Sequence, residues 1–325
     1  MLEKHKKVIL IAEIVNTHKN SDAMSRELEK TELAYLHELQ LSFKELGISV
    51  IHITTPQEIA SLAELDNAVV LSLWSGENSK FRKAIVPSIC ETLRVSYIGS
   101  DPYVSIICQD KALSKTFSEK YNIRSSNGFL VNHSTNLSIL PTLSAPLVIK
   151  PNAEGGSIGI DDSCLVDDIG QAIEKAKSLM SHFSCDILIE EFLPGKEISF
   201  VITGNNDSIA FFEAVEIYFA EKPDLLNDSI FGVDKKKSKT RQLTVKHRLV
   251  TELIPDEVTS NIKALFFGLQ KCEALRVDGK LFGNNFKLIE LTPDIHLGKS
   301  ATFASAFRLA GYSHSEMLKM LLNLV

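Results

Sequence analysis

The hydrophobic pattern of the first hundred residues alternates between strand-like and helix-like segments. Apolar, β-branched runs at 8–15, 49–54 and 68–74 are typical of parallel strands that are covered on both faces. Between the first two runs, apolar residues recur at the 3.6-residue spacing of a helix face as far as Gly47, and 80–94 also has a helical pattern. This order predicts an open, mostly parallel α/β sheet.

The order of predicted elements changes near residue 102. Beyond it, the sequence predicts helices over 104–121, 166–180 and 256–273 and at the C-terminus. It also predicts strands over 128–131, 147–150 and 187–192. An antiparallel pair is predicted at 197–203 and 208–217, and a hairpin of 275–280 with 286–291. The second part of the chain is therefore expected to contain antiparallel sheet.

The composition is that of an ordinary globular protein. The chain has 325 residues and a formal charge of −6, and 44% of its residues are hydrophobic, which excludes wholesale disorder and predicts about two domains. Because 41 acidic residues outnumber 35 basic ones, the charge does not favour nucleic acid or an anionic membrane as a partner. No stretch reaches about 18 apolar residues, so no membrane span is expected.

The cysteines are five in number and widely scattered, and no pair has metal-binding or redox spacing. They are typical of reduced thiols, and we therefore expect a cytoplasmic protein. The apolar run near the N-terminus is short and contains Glu13, which favours a buried strand over a signal peptide.

The segment VIKPNAEGGSIGI, residues 148–160, carries the first chemical signal. A predicted strand ends at Lys150, and a loop of small residues that includes Gly155, Gly156 and Ser157 follows. Glycines let backbone N–H groups surround an anion, and a nearby lysine supplies charge. The alternative is a simple turn with an incidental lysine.

The segment ILIEEFLPGKEISF, residues 187–200, carries the second signal. The paired carboxylates of Glu190 and Glu191 are followed by Leu193 and Glu197. A nucleotide on a sheet edge needs an acceptor for the adenine amino group, backbone groups for the ring and a carboxylate for the ribose. This segment offers all three, although a solvated acidic strand end would have the same residue types.

The third signal lies in ALRVDGKLFGNNFKLIELTPD, residues 274–294. Arg276 and Asp278 are two apart and share a strand face, and Glu290 lies on the partner strand of the predicted hairpin. Two carboxylates across a hairpin suit Mg²⁺, and the arginine can offset charge on a reacting group. A cross-strand Arg–Glu pair on a surface hairpin is the alternative.

Taken in order after Asp110-Lys111, these motifs resemble the ATP-grasp fold, and within it the D-alanine–D-alanine ligase group. The resemblance runs from about residue 95 to the C-terminus. It implies an N-terminal open parallel α/β sheet lobe at 1–103 and two α+β ATP-grasp lobes at 104–204 and 205–325, the last of which carries the metal and catalytic residues.

The resemblance also implies a role for each matching residue. ATP would be bound by Lys111, Lys150, Gly155, Gly156, Ser157, Glu190, Glu191, Phe192, Leu193, Glu197 and Ile289; Mg²⁺ (or Mn²⁺) by Asp278, Glu290 and Thr292; and Arg276 and Lys237 would act in catalysis. A carboxylate would attack the γ-phosphate to give an acylphosphate. An amine would then displace phosphate, which forms an amide and releases ADP.

Several positions depart from the family pattern. Thr292 replaces the metal-binding asparagine, so either Thr292 or Asp294 would complete the metal site. Gly156 replaces a substrate-orienting serine, and Ser238 stands where the family has a tyrosine beside the lysine matched by Lys237. The N-terminal Gly-Gly…Glu substrate loop is absent, and Glu27 or Glu29 would have to replace its glutamate.

The segment that recognises the second amino acid in the family is replaced by residues 293–300, PDIHLGKS. Nucleotide-side motifs are kept and substrate-side motifs are changed, which predicts ligation of different amino-acid-like substrates. Glu77, His296, Lys299 and Ser300 are candidates for binding them, and polar loop residues without a ligand are the alternative.

The predicted partners are thus a small-molecule carboxylate and a small-molecule amine, and the resemblance makes a homodimer plausible. Whether the amide joins two molecules or closes a ring stays open. Two other functions remain possible: a nucleotide-binding ATP-grasp protein without ligase activity, and a phosphotransferase on the same fold.

Overall fold

The fold was analysed in a computed structural model, which describes residues 6–18, 21–62, 65–76, 80–136, 141–183, 185–236 and 243–325. Three main sheets organise these residues, and two cavities lie between them. In addition to the helices and strands below, short 3-10 turns occur at Arg26–Glu29, Pro56–Ser61, Arg82–Ala84, Asp162–Cys164, Leu225–Asn227 and Thr251–Leu253.

The first sheet is entirely parallel, as the hydrophobic pattern predicts. The elements of this region are β1 (Lys7–Ile11), β2 (Ile14–Val15), β3 (Thr31–Glu32), α1 (Leu33–Glu45), β4 (Ser49–Ile53), β5 (Ala68–Ser72), α2 (Ile85–Leu93) and β6 (Ser96–Ile98). The sheet has the order β4-β1-β5-β6, while β2 and β3 form a separate short pair. Pro87 lies in the first turn of α2, where a missing N–H removes no helical hydrogen bond.

The second sheet is antiparallel. The middle of the chain forms α3 (Pro102–Gln109), α4 (Lys111–Glu119), β7 (Arg124–Ser125), β8 (Gly128–Val131), β9 (Leu147–Pro151), β10 (Leu165–Val166), α5 (Ile169–Phe183) and β11 (Ile187–Glu191). The sheet has the order β10-β9-β11-β8. The single helix predicted over 104–121 is two helices, because Asp110 caps the second by accepting a 2.9 Å hydrogen bond from the Leu113 N–H.

The third sheet has six strands. Its part of the chain forms β12 (Lys196–Gly204), β13 (Ile209–Phe219), α6 (Val233–Lys236), β14 (Val245–Leu249), α7 (Asp256–Gly268), β15 (Ala274–Phe282), β16 (Asn285–Thr292), α8 (Thr302–Leu309) and α9 (His314–Leu322). The order is β14-β13-β12-β15-β16-β7. Because β12 pairs with β13 and β15, it belongs to this sheet and not to the central lobe, to which the predicted boundary at 204 assigned it.

The third sheet has a buried core on each face. Phe200 and Ile202 of β12 point into a core with α3 and α7, whereas Val201 between them points into a core with α1, α8, α9 and the first sheet. The first and third sheets therefore share a core. This shared core holds the carboxyl ends of the parallel strands beside the β15–β16 hairpin. Among the described ranges, no helix has the length and apolarity needed to cross a membrane.

Candidate active site

Two adjoining cavities lie at the junctions between the sheets. The lysine cavity, named for Lys111, Lys150 and Lys280 in its lining, has a volume of about 360 Å³. The N-terminal cavity has a volume of about 390 Å³ and is lined in part by the carboxyl ends of the first sheet's strands. They share four lining residues: Lys111, Glu154, Arg276 and Glu290. A group bound in one cavity is thus in reach of the other.

The lysine cavity brings together most of the residues predicted to bind ATP and metal. It is lined by Lys111, Lys150, Ser157, Glu190, Glu191, Phe192, Leu193, Glu197, Arg276, Asp278, Ile289 and Glu290, and also by Ser300. These residues come from segments up to about 190 positions apart in sequence, so the fold collects them at one place.

Lys150 lies on β9 and points into the lysine cavity. Its side chain is almost fully buried, and its Nζ is 2.6 Å from Glu190 Oε1. Burial and the positive charge of the nearby Lys111 lower the pKa of Lys150 to about 7. The Lys111 ammonium contacts the backbone oxygen of Glu154 and lies 3.7 Å from Glu290 Oε2. With Lys280, the cavity therefore presents three buried amines, which are groups that can bind a polyphosphate.

The Glu190 carboxylate is also bound from the side away from the cavity. Lys115 contacts Glu190 Oε2, and Ser126 Oγ donates to the same oxygen at 3.0 Å. With Lys150 on Oε1, both carboxylate oxygens have a partner within the protein, and the predicted contact of Glu190 with adenine stays a prediction. Lys115 was missed in the sequence, although its position four residues after Lys111 places it on the same helix face.

Two other carboxylates of this region have fixed partners. Glu191 borders the cavity, but its oxygens accept hydrogen bonds from Asn127 Nδ2 at 2.9 Å and the Ser144 N–H at 2.8 Å. Glu197 Oε2 lies 2.9 Å from Nζ of Lys280, a buried lysine that the sequence analysis did not single out. Glu197 therefore has a fixed orientation at the cavity wall.

The β15–β16 hairpin places Asp278 directly opposite Glu290, and Arg276 opposite Thr292. Arg276 Nε donates to both Asp278 oxygens, at 2.8 and 2.9 Å, and Ser199 donates to Asp278 as well. The predicted pairing of the two carboxylates is thus present, and both line the lysine cavity.

The donor set fits Mg²⁺ that shares its coordination with phosphate. In the described part of the chain, no group of three or more His, Cys, Asp or Glu side chains could hold a metal alone. Mg²⁺ commonly uses one or two carboxylates and fills its other positions with phosphate oxygens and water. Thr292 lines the N-terminal cavity, and Asp294 there is 2.7 Å from Lys83 Nζ.

The loop at 155–157 lies between the cavities. Gly155 and Gly156 line the N-terminal cavity, and Ser157 lines the lysine cavity. Gly156 and Ser157 have φ values of 60° and 64°, in the left-handed region that favours glycine. The Gly155 N–H donates to Glu29 Oε1 at 3.2 Å, and a Cβ at Gly155 would lie only 2.6 Å from that oxygen.

A buried charge network, which sequence reasoning missed, supports this loop. Arg82 is 1% exposed and donates to Glu29 at 3.1 Å and Glu154 at 3.0 Å. It also donates to the backbone oxygens of Ser75 and Ala153. The network identifies Glu29, rather than the exposed Glu27, as the carboxylate at the N-terminal cavity.

The four predicted substrate residues are placed differently. His296 lines the N-terminal cavity and stacks on Tyr35, with ring centroids 3.8 Å apart. Ser300 lines the lysine cavity instead. Lys299 is exposed, lines neither cavity, and its N–H donates to Glu38, because the chain turns outward after Gly298. Glu77 lies outside the described residues, as does the predicted catalytic Lys237.

Comparison with known proteins shows the family of this chain. A family model described as "D-ala D-ala ligase C-terminus" matches residues 119–323. The chain belongs to the D-alanine–D-alanine ligase family. Membership in this family supports an ATP-dependent carboxylate–amine ligase in general.

Individual relatives of the family are distant. The chain is 32% identical to a D-alanine–D-alanine ligase of Halalkalibacterium halodurans over 170 residues, which are 50% of this chain and 52% of that one. It is 26% identical to an uncharacterized protein, y4sG, of Sinorhizobium fredii over 261 residues, 79% of this chain and 74% of that one.

The fold of the family extends over nearly the whole chain. The crystal structure of the D-alanine–D-alanine ligase of Bacillus anthracis complexed with ATP matches with a TM-score of 0.72 at 17% identity, and covers 98% of this chain and 97% of that one. The predicted ATP-grasp fold is thereby confirmed.

Proposed function

We propose that the protein is an ATP-dependent, ADP-forming ligase that joins a carboxylate to an amine on amino-acid-like substrates. The observation that carries this proposal is the junction of the two cavities, where Lys111, Arg276 and Glu290 line both. A phosphoryl donor in one cavity and an acceptor in the other would meet at these side chains. Phosphoryl transfer needs this kind of positioning and charge more than covalent help from a side chain.

ATP is proposed to lie in the lysine cavity. Phe192, Leu193 and Ile289 offer an apolar wall for the adenine, and Glu197, held by Lys280, offers an acceptor for ribose hydroxyls. Lys111 and Lys150 would bind phosphates. Asp278 and Glu290 would hold Mg²⁺, which, when bound, offsets charge on the transferring phosphoryl group.

The carboxylate substrate is proposed to lie in the N-terminal cavity. Its oxygen would attack the γ-phosphate of ATP, which breaks the bond to ADP and leaves an acylphosphate. The amine would then add to the acyl carbon and expel phosphate. Arg276 lies at the junction, so its guanidinium can stabilise the negative charge of the tetrahedral intermediate.

The substrates are proposed to differ from those of the relatives named above. Glu29 supplies a carboxylate for an ammonium group, but Gly156 has no hydroxyl, and His296 and Asp294 add polar groups at the N-terminal cavity. Such changes alter substrate choice while nucleotide handling stays the same.

The proposal is tested by incubating the protein with ATP and paired D- and L-amino acids. ADP release is measured, and hydroxylamine is added to trap the acylphosphate. A productive carboxylate is expected to give an acyl hydroxamate and stoichiometric ADP, and Lys150→Met is expected to abolish both. Lys120→Met, on the exposed end of the helix that carries Lys111, is the matched control. If a broad panel gives no substrate-dependent ADP release, the ligase proposal fails.

A second candidate is a nucleotide-binding protein without ligase activity. It is favoured by Thr292 at the metal position and by the engagement of Asp278 with Arg276. ATP binding by calorimetry without turnover in any assay would support it. A third outcome, phosphate retained on the acceptor, would appear by phosphorus NMR and indicate a phosphotransferase.

A further inference from the structure

Lys280 is a buried cation on the wall of the lysine cavity. It lies on β15 directly opposite Glu197 of β12, and its Nζ is 2.9 Å from Glu197 Oε2. The side chains of directly opposed residues leave a sheet on the same face, with their Cβ atoms about 5 Å apart. The contact of Lys280 with Glu197 is thus set by the register of two strands.

This pair lies at the end of the cavity that is proposed to hold the nucleoside. Two positions along the same strands, Ser199 lies opposite Asp278, the proposed Mg²⁺ ligand. A step of two residues is about 7 Å along a strand. Glu197 lies one such step from Asp278, toward the loop at 192–195 that offers the apolar wall for adenine. A sugar that joins the adenine to metal-bound phosphates would therefore pass Glu197.

The turn Leu225–Asn227 holds Lys280 from a second element. The Lys280 ammonium contacts the backbone oxygen of Leu226. The next residue, Asn227, accepts a 3.0 Å hydrogen bond from the N–H of Gly195, two residues before Glu197. One turn thus fixes both the ammonium and the backbone that leads into the carboxylate.

Little water reaches Glu197, whose side chain is 12% exposed. A carboxylate in such a position needs a cation, or it takes up a proton. In the part of the chain that the structure describes, Lys280 is the one cation that forms an ion pair with Glu197. Lys280 therefore keeps the carboxylate ionised and fixed in orientation, and an ionised carboxylate is a stronger acceptor for a hydroxyl group than a neutral one.

We propose that Lys280 is a positioning residue that makes the nucleotide site select ribose over deoxyribose, because it holds Glu197 ionised and oriented toward the sugar hydroxyls. This role rests on the proposed ATP site in the lysine cavity. Two other roles would have different signatures. A lysine that bound the nucleotide directly would act without Glu197, and a purely structural ion pair would change stability and leave the choice of sugar unaltered.

Calorimetry with ATP, 2′-deoxyATP and 3′-deoxyATP separates these roles. The wild-type protein is expected to bind ATP at least about tenfold more tightly than the weaker of the two deoxynucleotides, as for one charge-assisted hydrogen bond. In Lys280→Met this ratio is expected to fall to within about threefold, because Glu197 loses its charge or its orientation. The ratio cancels effects on the base and the phosphates, since the three nucleotides share them.

Lys246→Met is the matched control, because Lys246 is exposed on β14 of the same sheet and is expected to keep the wild-type ratio. Glu197→Gln is expected to lower the ratio as far as Lys280→Met does. Adding Lys280→Met to Glu197→Gln should then leave the ratio unchanged, since Lys280 acts through Glu197. Lys280→Gln, which loses the charge but can still donate hydrogen bonds, decides the question if Lys280→Met does not fold. Its ratio is also expected to fall at least about threefold.

A ratio equal to or above that of wild type in a folded Lys280→Met or Lys280→Gln protein would overturn the proposal while the proposed ATP site stands. A further fall when Lys280→Met is added to Glu197→Gln would overturn it too, as would equal binding of all three nucleotides by the wild-type protein. Absence of ATP binding to the wild-type protein would instead overturn the proposed function together with this role.

Discussion

Arg82 and Glu154 form a buried ion pair, with Nη2 of the arginine 3.0 Å from Oε2 of the glutamate. Arg82 follows the third strand of the first sheet, and Glu154 lies in the loop after β9 of the second sheet, 72 positions away. The pair thus joins two sheets beside the N-terminal cavity. Its exposed fractions of 1% and 2% mean that neither charge has water as an alternative partner.

Removal of Arg82 is expected to destabilise the fold strongly. Arg82→Met leaves Glu29 and Glu154 buried without this partner, which should lower the free energy of unfolding by about 3–5 kcal/mol. Urea denaturation measures the change. Arg94→Met, at an exposed arginine, should stay within about 0.5 kcal/mol of wild type. If both variants lowered the free energy of unfolding equally, the ion pairs of Arg82 with Glu29 and Glu154 would not be what stabilises the fold here.

The free energy of unfolding should rise with pH above about 7 because of Lys150. Its pKa is about 7 in the folded state and near 10.4 in an unfolded chain, so between these values the unfolded state binds more protons. The slope contributed by this one group is up to about 1.4 kcal/mol per pH unit, and below pH 7 its contribution is constant.

Lys150→Met should lack this part of the slope. Unfolding curves of both proteins from pH 6 to 9.5 give the comparison. Because the charge of Lys150 also lowers the pKa of Lys115, the difference between the curves reports both lysines together. A difference that stays flat with pH would show that Lys150 keeps an ordinary pKa.

Glu290→Gln should abolish turnover with little effect on stability. The amide has the shape of the carboxylate but lacks the charge needed for Mg²⁺, and we expect kcat to fall at least about a hundredfold. ADP release at increasing Mg²⁺ is the measurement. Glu252→Gln, at an exposed glutamate, is the control. Wild-type kcat and Mg²⁺ dependence in Glu290→Gln would exclude Glu290 as a metal ligand.

Gly155→Ala should impair the N-terminal cavity selectively. Its Cβ would lie 2.6 Å from Glu29 Oε1, so Glu29 must move and lose the N–H of residue 155. We expect the KM of the carboxylate substrate to rise about tenfold, while ATP affinity stays within about twofold. Gly170→Ala, at an exposed position of α5, should change neither value. A loss confined to ATP would mean that Glu29 is not at the substrate.

The sequence predicted the fold well wherever a local pattern was sufficient. Buried β-branched runs gave the parallel sheet. The spacing of Arg276, Asp278 and Glu290 placed the two carboxylates on the two strands of one hairpin, and the structure shows that they lie opposite each other. The family could be recognised because several motifs occur in the same order along the chain, and within each motif the spacing of the residues is that of the family. Local patterns also misled, since the capping carboxylate of Asp110 divides a continuous helical pattern.

Long-range charge partners were beyond a single sequence. Nothing in the spacing of Arg82 and Glu154, or of Lys115 and Glu190, indicates that the pairs meet, because their contacts depend on how sheets and helices pack. The two lysines that contact Glu190 were therefore not predicted, and its contact with adenine stays a prediction. Charged residues inside a fold are informative for this reason: burial forces each to find a partner.

The shared wall of the two cavities has a kinetic consequence for the proposed reaction. An acylphosphate formed at this wall would lie beside Lys111, Arg276 and Glu290. It would react there either with the amine, which gives the amide, or with water, which wastes the ATP. The intermediate would not have to diffuse through solvent to meet the amine. The fraction of ATP consumed without amide formation is thus a direct measure of how well this junction excludes water.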